Sequence, residues 1–346
     1  MARRRRSVRK KKTSGVSGFL LTVFLLLLLA AGAGAWLILT PYGPESETYV
    51  ELAPGATSLR MGAQLEEAGI VRSRYAFFLM RWWKRGTLHP GEYRFDHPAA
   101  VAEVYARILR GDVSSKTVTI PEGSSIYEIA SRLEQAGLGT RQEFLFAATR
   151  QTGLIADLDP DARSLEGYLF PDTYRFARRA TPTQICATMV HRFRTVAAQL
   201  GLKGNVHRLV TMASLIERET AVASERPLVA SVFENRLAKK MPLMTDPAVI
   251  YGLEVEGRWR GGIYASDLKY DTPYNTYLHP GLPPGPVANP GLQSLRAALE
   301  PAQSNYLYFV AAGADPQGHS RFAATLEEHN HNVAGYRRAM KKAGER

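Results

Sequence analysis

Between Gly18 and Leu39 the chain reads GFLLTVFLLLLLAAGAGAWLIL, without one charged side chain. As a helix rising ~1.5 Å per residue, this run reaches across the ~30 Å hydrocarbon core of a bilayer. It is preceded by MARRRRSVRKKK, which holds eight basic residues and no acid. A basic flank of this kind predicts a cytoplasmic N-terminal tail (1–17), a transmembrane helix (18–39) and the bulk of the chain outside a single-pass cytoplasmic (inner) membrane. A cleavable signal peptide is the rival reading, since Ala33-Gly34-Ala35 offers a small-x-small site. The length of the run, Trp36 near the exit and apolar residues up to Leu39 favour an uncleaved anchor.

The tail also explains the charge. Removing its eight charges from the net +12 leaves +4, so the basicity is not a property of the folded part. A membrane span separates the tail from that part, which argues against nucleic acid as a partner. Cys186 is the only cysteine. It cannot form an intramolecular disulfide and falls in a helical pattern, where it is expected to be buried and inert.

After a short linker (40–48) the sequence repeats. GATSLRMGAQLEEAGIV (55–71) aligns without gaps on GSSIYEIASRLEQAGLG (123–139). Each segment follows a β-run ending in a Pro/Gly turn, offers Ser or Thr as helix N-caps, and closes the helix at Gly69 or Gly137. A second helix follows in each, SRYAFFLMRWWKRG or TRQEFLFAATRQTG, and then an aromatic strand, GEYRF (91–95) or EGYLF (166–170). Two β-α-α-β units over 49–175 suit a duplicated small module better than a solenoid. Beyond it, helices are predicted at 183–200, 205–220, 225–240, 247–253, 291–300 and 325–342, with a strand pair YLYFVAA and HSRFAA around the turn GADPQG. The fold class is α+β, and residues 176–346 form a catalytic or binding domain. Its Pro-, Gly- and Tyr-rich stretch 270–291 reads as a functional loop.

Chemistry is concentrated in ASLIERETAVASE (213–225). Leu209, Met212, Ala213 and Ile216 form an apolar stripe, with Glu217 at one edge and Glu219 at the other, about 200° apart. A half-buried carboxyl on such a helix has its pKa raised and can serve as a general acid. Helix geometry does not choose between the two. Asp246, before Pro247, reads as the N-cap of the next helix, with a place along the cleft compatible with that role. Tyr274, Asn275 and Tyr277 are substrate-binding candidates, because tyrosine rings stack on sugar faces and Asn both donates and accepts. Glu166 could reach the same cleft or serve the fold. No metal site is expected: His329 and His331 stand two apart, unlike an i, i+4 pair on one helix face. No cofactor motif occurs.

ASLIERETAVASERPLVASVFENRL, MTDPAVIYGL, TPYNTYLHPGLPPGPVANPG, YLYFVA and LEGYLFPDTY, behind a membrane anchor, together resemble the MltG (YceG-like) endolytic murein transglycosylases of bacteria. That resemblance implies a LysM-like character for 49–175 and a transglycosylase domain at 176–346. It implies peptidoglycan glycan strands as substrate, cut between MurNAc and GlcNAc with 1,6-anhydro-MurNAc ends. It puts the catalytic acid, later base, on Glu217. Glu219 could aid or position, but its place on the opposite helix face leads to the expectation of a structural salt bridge. A role in limiting strand length beside the cell-wall synthesis machinery is implied as well. A muramidase-type hydrolase and a non-catalytic wall-binding anchor are the alternatives.

Overall fold

The computed structural model describes residues 15–313 and 318–344. Most of the basic tail, residues 1–14, and the tip of the predicted GADPQG turn lie outside the described residues. The chain divides into two compact units, Met1–Ser115 and Lys116–Arg346.

The first unit begins with α1 (Gly15–Leu39), long and apolar enough to cross a membrane by length and composition. The segment predicted as a linker is tied down at Tyr42, which exchanges backbone hydrogen bonds with Ala99. Strands β1 (Thr48–Leu52) and β2 (Gly91–Phe95) pair antiparallel, Thr48 opposite Phe95 and Leu52 opposite Gly91. Between them lie α2 (Ser58–Glu67) and α3 (Arg74–Trp83), and after them α4 (Val101–Arg110). Thr57 and Ser73 cap α2 and α3 through their side-chain oxygens. Gly69, at φ +70°, supplies the left-handed turn that ends α2. Val50, Leu52, Leu65, Phe77, Tyr93 and Ile108 fill the core.

The second unit opens with the same element order: β3 (Ser115–Thr119), α5 (Ile126–Gln135), α6 (Arg141–Arg150) and β4 (Thr173–Ala177), with β3 paired to β4. Capping boxes Ser125/Glu128 and Thr140/Glu143 start the two helices. The closing strand is not where the repeat puts it. Glu166–Phe170 forms turns, and the alternating burial of a strand starts only at Thr173. Pro171 has no N–H to give a ladder, and the Leu169 N–H is taken by the Asn289 side chain.

These elements share one core with α7 (Pro182–Leu200) and α8 (Val206–Glu219), through Ile126, Leu133, Phe144, Tyr168, Phe193 and Val210. The predicted boundary at 175/176 lies inside that shared core. Cys186 is buried, which pushes its thiol up to about 12. A second cluster joins α8 to α9 (Arg226–Ala238) and α10 (Asp246–Val255) through Met212, Leu215, Ile216, Phe233 and Tyr251. Then follow α11 (Leu292–Leu299), the antiparallel pair β5 (Tyr308–Ala311) and β6 (Ser320–Ala323), and α12 (Leu326–Gly344).

Helix α8 is not the one-sided amphipathic helix its apolar stripe predicts. Every residue from Val210 to Ile216 is buried, because the helix runs between two cores. Both acids at its end therefore leave α8 into desolvated surroundings, on opposite sides.

One close approach sets the loop around Glu166. Gly167 stands at φ +88°, and a Cβ there would lie 2.6 Å from Pro286 and 2.7 Å from Val210. Gly167→Ala is expected to cost about 2–4 kcal/mol, from overpacking plus a strained backbone. Thermal unfolding followed by circular dichroism checks this; an unchanged Tm would show that the loop moves aside freely.

Candidate active site

The two acids of α8 meet different surroundings. The Glu217 side chain is only 4% exposed and is fully engaged. Its Oε1 accepts from Arg226 Nη2 at 2.8 Å, and its Oε2 accepts the Gly291 N–H at 2.8 Å. Arg226 opens α9, and Gly291 is the N-cap residue of α11. Glu217 thus answers an orphan amide at one helix start and a buried guanidinium at another. Burial raises its pKa, while the Gly291 amide and Arg226 pull it back. A Cβ at Gly291 would lie 1.9 Å from the Glu122 carboxylate, so a side chain there would have to displace Glu122.

Glu219 is the last residue of α8 and is half-buried. The salt bridge expected for it does not form: among the described residues no cation lies within ion-pair distance of its carboxylate. Burial pushes its pKa up to about 7; the charge of Asp246 adds to the rise and Arg236 opposes it. Arg236 is occupied by the backbone. Its Nε donates to Leu307 O at 2.7 Å and its Nη1 to Leu243 O at 2.8 Å. It contributes positive potential near Glu219 without neutralising it by contact.

Asp246 and Tyr277 complete this group. The Tyr277 hydroxyl donates to Asp246 Oδ1 at 2.6 Å, and both residues act electrostatically with Glu219. Asp246 is the first residue of α10, not its N-cap, which is Thr245. The Thr245 hydroxyl meets that of Thr276 at 3.2 Å, and Thr276 Oγ1 accepts the Thr245 N–H at 2.9 Å. This joins the 241–246 loop to the 271–279 loop and leaves the Asp246 carboxylate for Tyr277. Met244 takes φ +53°, a left-handed conformation that a side chain adopts only under constraint.

The other candidates lie elsewhere. Asn275 is fully buried, donates from Nδ2 to Leu268 O at 3.1 Å and Tyr270 O at 2.8 Å, and accepts the Tyr277 N–H at 2.9 Å. It holds Tyr277 in place by shaping the loop. Tyr274 packs its ring against Tyr251 at 4.9 Å, and Tyr251 in turn faces Tyr127. Glu166 is 2% exposed, accepts from the Ile126 N–H at 2.9 Å and Asn289 Nδ2 at 2.7 Å, and has its pKa pushed up to about 8 by burial. Glu166 and Asn289 join the 165–170 turns to the loop before α11.

Sequence reasoning missed Arg226 as the partner of Glu217, and Arg236 beside Glu219. Neither is signalled by spacing along α8, because both arrive from α9.

The family model described as the YceG-like family matches residues 50–335. A protein of Bacillus subtilis named endolytic murein transglycosylase is 31% identical over 316 residues, covering 85% of this chain and 86% of that protein. One of the same name from Streptococcus pneumoniae is 31% identical over 93% of this chain, but the match covers only 65% of that longer protein. Among solved structures, a yceG-like protein from Listeria monocytogenes superposes with a TM-score of 0.54 at 31% identity, over 83% of this chain and 99% of that one.

Proposed function

The chain belongs to the YceG-like family, and on that premise we propose that it is a membrane-anchored endolytic murein lytic transglycosylase whose general acid is Glu219. Its curated relatives bear that activity in their names. The assignment of the acid rests on one observation. Glu219 is the α8 carboxyl that is desolvated without an ion pair, and its pKa of about 7 keeps a proton available near neutrality. Glu217, where the family resemblance puts the acid, has both oxygens committed to Arg226 and Gly291.

In the proposed reaction the Glu219 carboxylic acid gives its proton to the oxygen bridging MurNAc C1 and GlcNAc O4. The C1–O4 bond breaks and GlcNAc leaves with a 4-hydroxyl. The Glu219 carboxylate then takes the proton of the MurNAc C6 hydroxyl as O6 bonds to C1. This closes the 1,6-anhydro ring and restores the acid. No water enters, so the reaction does not need the second carboxylate of most glycosidases. Asp246 and Tyr277 are positioning groups. A carboxylate beside Glu219 favours its protonated form, and Tyr277 fixes that carboxylate.

The surrounding protein fits the same reading. The tail is cytoplasmic, α1 spans the membrane once, and both folded units face outward toward nascent glycan. The β-α-α-β segments are LysM-like glycan-handling modules, and cutting beside the synthesis machinery limits strand length.

The test uses the full chain in detergent on un-crosslinked glycan strands, with released ends read by mass spectrometry. Ends one water lighter than reducing ends support the transglycosylase. Reducing ends would make the enzyme a muramidase-type hydrolase, and binding without cutting would leave a wall anchor. Two further outcomes follow. The rate should fall with rising pH above about 7, tenfold per unit at the limit, because the acid works only when protonated; a pH–rate profile flat from 6 to 9 would remove Glu219 from that role. Tyr277→Phe should lower kcat about tenfold, the worth of one hydrogen bond, with Tm unchanged.

A further inference from the structure

Helix α3 lies on the surface of the first unit, yet apart from Arg74 and Arg81, which share one side, it is apolar around its circumference. Ala76, Phe77 and Met80 face the core. At 100° per residue, Tyr75, Phe78, Leu79, Trp82 and Trp83 share the opposite face. That face is bare: Trp82 is 77% exposed, Trp83 76%, Tyr75 67% and Leu79 53%. An exposed apolar patch of this size marks an interaction surface.

The fold does not require these residues. With the two helices matched at their N-caps, Ser73 and Thr140, α6 carries Gln142, Thr149 and Arg150 where α3 carries Tyr75, Trp82 and Trp83. Only the segment attached to the membrane span has the aromatic face. The attachment is close. Leu37 and Ile38, at the end of α1, pack against the core of this unit, and α1 touches both α3 and α4. Arg72 lays its guanidinium over Trp36 at 4.3 Å and donates to the Thr40 hydroxyl at 2.7 Å. Helix α3 is therefore held against the C-terminal end of the span. From Arg74 to Gly91 there is no acidic residue, while Arg81, Lys84 and Arg85 lie beside the tryptophans. Amphipathic aromatic rings next to cations are the signature of the headgroup region of a bilayer with anionic lipid.

We infer that the exposed aromatic face of α3 docks into the outer surface of the phospholipid bilayer beside α1, seating the first unit on the membrane. The inference goes beyond the proposed enzymatic activity and rests on the proposed topology, with α1 in the bilayer and its C-terminal end outside.

The experiment uses the full chain with Cys186→Ala, reconstituted into nanodiscs of phosphatidylethanolamine and phosphatidylglycerol. Nitroxide labels are placed at Leu79→Cys, at Leu27→Cys in the middle of α1, and at Arg60→Cys on the exposed side of α2. The Leu27 and Leu79 labels should both collide more with oxygen than with a water-soluble nickel complex, and the Arg60 label should do the reverse. A Leu79 label that behaves like Arg60, with Leu27 still in lipid, overturns the docking and leaves the anchor standing. Protection of the Leu79 label from both reagents means a protein covers the face, and overturns it too. Quenching by brominated lipid gives a second check. Of the four tryptophans, docking should expose about three to quencher, and removal of Trp82 and Trp83 (W82S/W83S) should lower the quenched fraction from about three-quarters to about half. A rise from about a quarter to about half would reject the proposal. Both fractions take Trp36 as quenched and Trp259 as not.

Discussion

Glu219→Gln is expected to fold as the wild type does and to cut glycan strands about 10²–10⁴-fold more slowly, the usual worth of a positioned general acid. The amide keeps the shape of the side chain but has no proton to give the leaving oxygen. The same substitution should also change the pH dependence of stability. In the folded chain Glu219 titrates near 7, against an ordinary value of 4.5. Below 4.5 the carboxyl is protonated in both states and contributes no difference. As the pH rises from 4.5 through about 7 the unfolded chain ionises first, so the folded state loses relative stability over that window. The variant lacks this loss. It should match the wild type at pH 4 and exceed it in Tm at pH 8. An active Glu219→Gln enzyme would return the acid to Glu217.

Glu217→Gln should do the opposite and act first on stability. Removing the carboxylate leaves the Arg226 guanidinium, 7% exposed, without its closest counter-ion. Breaking a buried pair from one side costs about 3–5 kcal/mol. For a unit of this size that lowers Tm by roughly 10 °C. Glu122, 3.6 Å from Arg226, sets the lower end of the range by taking up part of the charge. The double variant E217Q/R226M removes the stranded cation and keeps an acceptor for the Gly291 N–H, so most of the Tm should return. It should also cut strands within about tenfold of the wild type. A stable but inactive double variant would show that Glu217 itself handles the proton.

The two acids illustrate how much of this site was legible in the sequence. Their helix, its limits near 205–220 and their opposite faces followed from apolar spacing and capping residues, and the structure has Asn205 as N-cap and Glu219 as the last helical residue. The Pro-, Gly- and Tyr-rich stretch 270–291 read as a functional loop, and it is held by hydrogen bonds of Asn275, Thr276 and Asn289. Two local readings fell short where a distant group competed for a bond. The 166–170 strand gave way because Asn289 takes the Leu169 N–H. Thr245 takes the N-cap position in place of Asp246, whose carboxylate accepts from Tyr277 instead.

Spacing, capping and composition determined on their own that the chain opens with an apolar run able to span a bilayer, carries two β-α-α-β segments, and ends α8 with two carboxyls on opposite sides. These are local properties, fixed by residues a few positions apart. Which carboxyl is neutralised and which stays free was decided only by tertiary structure. Desolvation and charge pairing depend on what arrives from elsewhere in the chain: Arg226 and Gly291 at Glu217, Asp246 and Arg236 at Glu219. At 3.6 residues per turn a helix fixes the directions its side chains take, but the packing of other helices sets the dielectric and the counter-charge they meet.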